Sequence, residues 1–305
     1  MQCVFLGGSM RIAKILNNNA VIVVNEQQRE VVVMGCGVAF KKRPGETLDA
    51  ARIEKIFCLQ SDELNSRLGE LLRQIPLDVM LACDRIIARA GEQLGELHES
   101  IYLTLTDHCH YAIERQKQGL CLQNALLWDI KRLYPREFAM GCEACAIIAH
   151  RLNCTLPEDE AGFIALHLVT AQFNSEMPEV MEITRMMQEI VALVERQLKL
   201  QYREESLSWQ RFITHLKFFA QRMRASVAES SHDETLCKSI KANCATAWRC
   251  AKKIDSLLQT HYRYALKKDE LTYLTIHIER IRSSLSAPAK AAEEIAAHQS
   301  DNVTF

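Results

Sequence analysis

Glycine and proline are scarce, at 11 and 6 of 305 residues, and aromatic side chains make up only 7%. That scarcity excludes collagen-like and low-complexity chains and leaves long stretches without helix breakers. Long apolar runs are missing too. No segment approaches the roughly 18 consecutive apolar residues that cross a bilayer, and Met1–Ser9 lacks a basic start followed by an apolar stretch. No membrane insertion and a cytoplasmic location are therefore expected. Nor does one sign of charge dominate. With 37 basic residues against 38 acidic ones the formal net charge is −1, so any nucleic-acid surface must be local. The phosphate-cradling pattern G-x-x-x-x-G-K-[ST], the dinucleotide pattern G-x-G-x-x-G and the nucleophile elbow G-x-S-x-G are all absent, which argues against an enzyme and for no cofactor.

What is present is a helical composition, 48% hydrophobic and 25% charged, on a chain longer than one core usually organises. Twelve cysteines are spread through helical patterns without an export signal, so reduced thiols are expected. The closest pair, Cys142 and Cys145, has metal-ligand spacing but no second pair to complete a site, and it reads as helix packing; no metal is expected.

Between Arg11 and Lys42 the chain has short β-type segments, Arg11–Leu16, Ala20–Val24, Glu30–Met34 and Val38–Lys42. Asn17–Asn19, Asn25–Gln28 and Gly35–Gly37 separate them. The pattern predicts a four-stranded antiparallel meander. Its thin Val and Ile core is marginal for a lone domain, and a homodimer is the expected remedy. From Met10 to Gln60 there are eight Lys or Arg against five Asp or Glu, with Lys41-Lys42-Arg43 contiguous. That surplus suits an RNA or DNA partner, although a solvated strand end would carry the same charges. From about Asp62 the periodicity becomes helical, with helices expected near 77–95, 100–118, 124–133, 136–153, 158–173, 178–201, 206–225, 233–260 and 268–284. After Pro288 the chain is Ala-rich and polar, and a frayed tail is expected.

The helical part repeats itself. A shift of 107 residues superposes His108-x-x-Tyr111-x-x-x-Arg115 on His215-x-x-Phe218-x-x-x-Arg222, and a shift of 110 superposes Asp159-Glu160-x-x-Phe163 and His167 on Asp269-Glu270-x-x-Tyr273 and His277. The fold class is thus multi-domain and mainly α, a small antiparallel β RNA-binding domain (10–64) followed by two homologous all-α helical bundles (74–179 and 180–285) and a flexible tail (286–305). A single histidine on an apolar face is usually a core residue, but four recurring at matching places in a chain with ten point to imidazole chemistry. Metal ligation is disfavoured because the flanking residues, Asp107 and Cys109 against Thr214 and Leu216, do not repeat. Acid–base catalysis lacks a third group, whereas phosphoryl acceptance needs only a neutral, accessible imidazole nitrogen.

The residues also resemble a known family. Met10-Arg11-Ile12-Ala13-Lys14-Ile15-Leu16-Asn17-Asn18-Asn19, Val32-Val33-Met34-Gly35 and Gly37-Val38-Ala39-Phe40-Lys41-Lys42 are similar to the co-antiterminator RNA-binding domain of the BglG family, and the helical modules to its phosphotransferase-system (PTS) regulation domains. The resemblance covers Met10 to Ser284; since the family pattern begins at Met10, Met1–Ser9 is expected to be an upstream-start artefact. It implies a dimeric regulator that holds a hairpin in a leader mRNA and so prevents an overlapping terminator from forming. It implies RNA contacts at Lys14, Asn17, Asn19, Gly35, Gly37 and Phe40, with Lys42 and Arg43 on phosphates. It further implies that a sugar-specific PTS permease (enzyme II) inactivates the protein by phosphorylating the first module at His108 or its partner His167. The phosphocarrier HPr would activate it through His215 and His277. Asp107 is expected to support the His108 site. Two other readings compete: a DNA-binding activator carrying the same helical modules, which would need a helix-turn-helix where this chain reads as strands, and a phosphohistidine phosphotransferase.

The family places arginine between the two glycines of the loop, where this chain has Cys36. Replacing a thiol by guanidinium adds a charge and a donor fork. Cys36→Arg should tighten binding to the leader hairpin by about 1–3 kcal/mol per subunit if the side chain reaches a base edge or phosphate. A salt titration would then steepen by roughly one unit per subunit. Unchanged affinity and slope would show that the RNA is read without this position.

Overall fold

A computed structural model of the chain describes residues 10–24, 30–58, 61–199, 206–225 and 234–300. The expected turn at Asn25–Gln28 and the extension Met1–Ser9 lie outside the described residues. The chain opens with an antiparallel sheet of β1 (Ile12–Asn17), β2 (Ala20–Val24), β3 (Glu30–Met34) and β4 (Lys55–Phe57), in that order. Pairing of Val21 with Val33 and Val23 with Val31 puts one set of side chains on one face, and the alternate residues face the other way.

Both faces are buried. Val21, Val23, Val31 and Val33 pack under Val38, Ala39 and Leu48, from the segment that crosses back over the sheet. Ala20, Val32, Met34 and Phe57 pack instead on Leu68 and Leu72, Met80 and Leu103, side chains on or beside the first three helices. These helices are α1 (Asp62–Leu71), α2 (Leu77–Leu94) and α3 (Ile101–Lys117). The thin sheet core is thus completed within the chain.

The fourth strand departs from expectation. Val38–Lys42 is not a strand: Val38 N–H donates to Gly35 O, Phe40 N–H to Gly37 O and Lys42 N–H to Ala39 O, and Lys41 sits at φ 56°. Successive four-residue turns curl the segment over the sheet, so that Val38 and Ala39 are buried without strand pairing. The fourth strand is the three-residue β4, paired with β3 from Val32↔Phe57 to Met34↔Lys55.

The first helical module continues with α4 (Leu127–Leu133), α5 (Pro135–Leu152) and α6 (Glu158–Phe173). Its core runs from Val79, Cys83 and Ile86 through Leu105 and Cys109 to Ala144, Ile148, Ile164 and Leu168. The sheet and this module form one compact unit, ending at Val180 inside α7 (Met177–Leu198). The second unit holds α8 (Leu207–Ala225), α9 (Glu234–Asn243), α10 (Ala245–Tyr262) and α11 (Lys268–Ser300). Where one helix over 233–260 was expected there are two, broken at Cys244 (φ −119°), the counterpart of Tyr134 (φ −132°) between α4 and α5. Pro135 marks the first break in the sequence. Ala245 marks nothing at the second. Left-handed caps repeat as well, at Asn153 after α5 and Arg263 after α10.

Helices α5 and α6 approach closely at Gly141, where an added Cβ would lie 2.2 Å from the Ala161 carbonyl oxygen. Gly141→Ala should therefore cost about 1–3 kcal/mol of stability, since backbone cannot yield as a flexible side chain would. Thermal or denaturant unfolding checks this, and an unchanged midpoint would contradict it.

Candidate functional site

Helix α3 carries His108 and, two turns later, Arg115; α6 carries Glu160 and, two turns later, His167. The two helices run antiparallel, as the bond from His98 N–H to Ala171 O shows at the far end, so the four side chains converge. The imidazoles of His108 and His167 lie 4.8 Å apart between ring centroids, inclined by 42°, and Phe163 flanks His108 at 5.9 Å. Glu160, only 3% exposed, places one carboxylate oxygen 3.0 Å from His108 Nε2 and the other 3.0 Å from Arg115 Nη2. The first contact is close but not aligned as a hydrogen bond, and both its atoms are sealed from solvent.

Burial would raise the Glu160 carboxyl, but His108 and Arg115 outweigh it and hold it below the ordinary carboxylate range. His167 is pushed down to about 3, first by burial and then by repulsion from His108. At neutral pH it is an uncharged imidazole. Its Nδ1 is buried without a hydrogen-bond partner.

The second module repeats the pair with different surroundings. His215 on α8 and His277 on α11 stack at 4.0 Å with 32° between planes. Burial, then His215, lowers His277 to about 4. Glu270, the counterpart of Glu160, instead accepts from the Tyr264 hydroxyl at 2.8 and 2.9 Å and from Lys267 N–H at 2.9 Å. The first module has Cys154 at the position of Tyr264, without a phenol to take up the carboxylate.

Around the sheet the expected RNA residues gather at one end of β1 and the following loops. Asn17 Nδ2 donates to Leu72 O at 2.6 Å, tying the strand to the end of α1. Its Oδ1 accepts from Asn19 N–H, and Asn19 Oδ1 accepts from Gly37 N–H at 2.8 Å. Part of the asparagine chemistry is therefore turn construction. Gly35 is required by space: a Cβ there would meet Arg52 O at 1.8 Å. Gly37 is required by conformation, at φ 64°. Phe40 is 55% exposed with the Lys41 ammonium 5.4 Å from its ring centroid, Lys14 and Arg43 are exposed, and Lys42 Nζ donates to Thr47 O. Exposed Cys36 donates its N–H to Glu54 Oε1.

Several residues at these sites carry no obvious role in the sequence pattern alone. Glu160 and Arg115 stood in the repeat pattern, and their seven-residue spacing to the histidines was the usable signal. Asp107, expected to support His108, is its immediate neighbour on a helix and so faces elsewhere. Arg52 donates to Gly37 O at 3.2 Å, bringing a guanidinium to the loop that lacks one at Cys36. Cys142 is exposed and Cys145 half-buried, so only the second packs as expected. No group of three or more His, Cys, Asp or Glu able to hold a metal occurs among the described residues. None of the described helices is long and apolar enough to cross a membrane.

The CAT RNA binding domain family matches residues 10–66, and the PRD domain family matches 84–171 and 188–281. The chain is 57% identical over 277 residues to the β-glucoside operon antiterminator of Dickeya chrysanthemi, covering 90% of this chain and 98% of that one. It belongs to the BglG family of transcriptional antiterminators. It is also 48% identical to the transcription antiterminator LicT of Bacillus subtilis (strain 168), over 89% of this chain and 99% of that protein. A solved structure, the crystal structure of GlcT CAT-PRDI, matches 54% of this chain and 98% of its own at 32% identity, with a TM-score of 0.46. In BglG-family terms, the sheet and its loops form the CAT domain, and the two histidine pairs sit in the PRD domains.

The depressed His167 implies a pH dependence of stability. Below about 6.5 the unfolded chain protonates this imidazole while the folded chain, with its value near 3, does not. Stability should fall as pH drops from about 6.5 towards 3 and be unaffected above that window. Between pH 7 and 5 the wild type should lose about 1–2 kcal/mol more than His167→Gln in urea unfolding. Parallel losses would contradict the buried neutral assignment.

Proposed function

We propose that this chain is an RNA-binding transcriptional antiterminator whose activity is set by PTS-dependent histidine phosphorylation. The observation that carries the reading is the association of an RNA-binding CAT domain with two PRD modules, each stacking two imidazoles from separate helices. The CAT domain binds a hairpin in a leader mRNA and keeps the alternative terminator from forming. Recognition relies on splayed bases, for which exposed Phe40 offers a stacking surface, Asn19 and the loop of Gly35 and Gly37 offer amide contacts, and Lys14, Lys42 and Arg43 offer phosphate contacts. Asn17 shapes the turn that presents them. The protein acts as a homodimer in the cytoplasm, with three domains over 10–64, 74–179 and 180–285, and it turns over no substrate of its own.

The first pair is the inhibitory site. His108 is its leading acceptor and His167 its partner, phosphorylated by a sugar-specific permease when substrate is absent. The second pair, His215 and His277, takes phosphate from HPr and activates. A phosphate adds about −1.5 to −2 charges at pH 7, enough to reorganise the packing or the dimer contacts around a half-buried helix pair.

A leader–reporter fusion tests this. His108→Ala should express the reporter without inducer, whereas His108→Asp should repress it, partially because Asp carries less charge than phosphate. A His108→Ala variant that still requires inducer would refute the inhibitory role.

A further inference from the structure

We propose that Glu160, held by Arg115, is a positioning residue that keeps the proton of His108 on Nε2, beside its carboxylate, and so directs the phosphoryl group to Nδ1. The inference rests on the reading of His108 as an acceptor and specifies which atom of it reacts.

An imidazole offers two nitrogens, and here they are not equivalent. Nε2 is sealed from solvent with a Glu160 oxygen 3.0 Å away. The contact is not aligned as a hydrogen bond, but an ionised carboxylate 3.0 Å away repels a lone pair on Nε2 and favours the tautomer with the proton there, which leaves the reactive lone pair on Nδ1. The side chain as a whole is 15% exposed, so the ring edge is not closed off entirely. Arg115, on the other carboxylate oxygen, keeps Glu160 ionised and fixes its orientation.

The transfer then balances without any proton changing owner. The Nδ1 lone pair forms the N–P bond, and the bond from the donor phosphoprotein to phosphorus breaks with its electron pair remaining on the donor atom. The proton stays on Nε2. The ring becomes cationic, and Glu160 stabilises that charge where water does not reach.

The second module is built differently. Glu270, the counterpart of Glu160, is held by the Tyr264 hydroxyl and Lys267 N–H instead. The two PRD sites, alike in sequence pattern, thus differ in how the acceptor is prepared, and Glu160→Gln should separate them.

The test uses the full-length chain labelled with ¹⁵N-histidine and treated with phosphorylated HPr or with the phosphorylated permease domain, read by long-range ¹H–¹⁵N and ³¹P spectra. The signal missing from His108→Ala identifies the residue. Phosphorus bonded to Nδ1 of His108 is expected, and phosphorus on Nε2 overturns the proposal without a Glu160 variant having to fold. Glu160→Gln should slow phosphorylation of His108 on the order of tenfold, the worth of one charge-assisted contact, and leave the rate at His215 unchanged. Equal rates at His108 in wild type and variant would also overturn it. If His108 takes no phosphate from either donor while other histidines do, the acceptor reading itself fails.

Discussion

The structure turns on one shared core. Phe57 from the last strand, Val32 and Met34 from β3, and Leu68, Leu72, Met80 and Leu103 on the helical side pack into a single apolar cluster. Phe57 meets Tyr102 edge-to-face at 5.4 Å, and Lys55 pairs with Asp84 at 2.9 Å beside that contact. A four-stranded sheet of short strands has a marginal core of its own. Helices α1 to α3 supply the missing face, and α3 then continues from Leu103 to His108 within the same rigid element. Charge placed on His108 is therefore delivered to a helix whose other end is part of the RNA-binding domain's core.

That continuity gives the histidine chemistry a physical route to the RNA surface. Asn17, which shapes the loop turn through Asn19 and Gly37, is also hydrogen-bonded to the Leu72 carbonyl at the end of α1. A shift of α1 or α3 would move the asparagine that organises the loops. Packed elements respond to such changes in discrete steps rather than by smooth deformation, which suits a switch.

The repeat, the four histidines and the paired-helix organisation were legible in the sequence, because matching residues recur at two nearly equal shifts. Three strands were legible from their Val and Ile clusters and intervening turns. The fourth was not. Val38–Lys42 has strand-like residues, but Gly35 and Gly37 let it curl through turns, while the true strand Lys55–Phe57 is too short to show a period. The Glu160 contact to His108 was hidden for another reason: it joins residues on different helices, and only the recurrence of Glu160 and Arg115 seven residues from each histidine hinted at it. The differing fate of Glu270 depends on Tyr264 against Cys154, which no periodicity reveals.

The central claim is that phosphate on the first histidine pair is felt in the RNA-binding domain. It is tested most directly by titrating the full-length protein with its leader hairpin before and after phosphorylation by the permease domain, at fixed salt. The account predicts that affinity falls on phosphorylation and returns when the phosphate is removed. Identical binding isotherms for the two forms, with phosphate confirmed on His108, would contradict it.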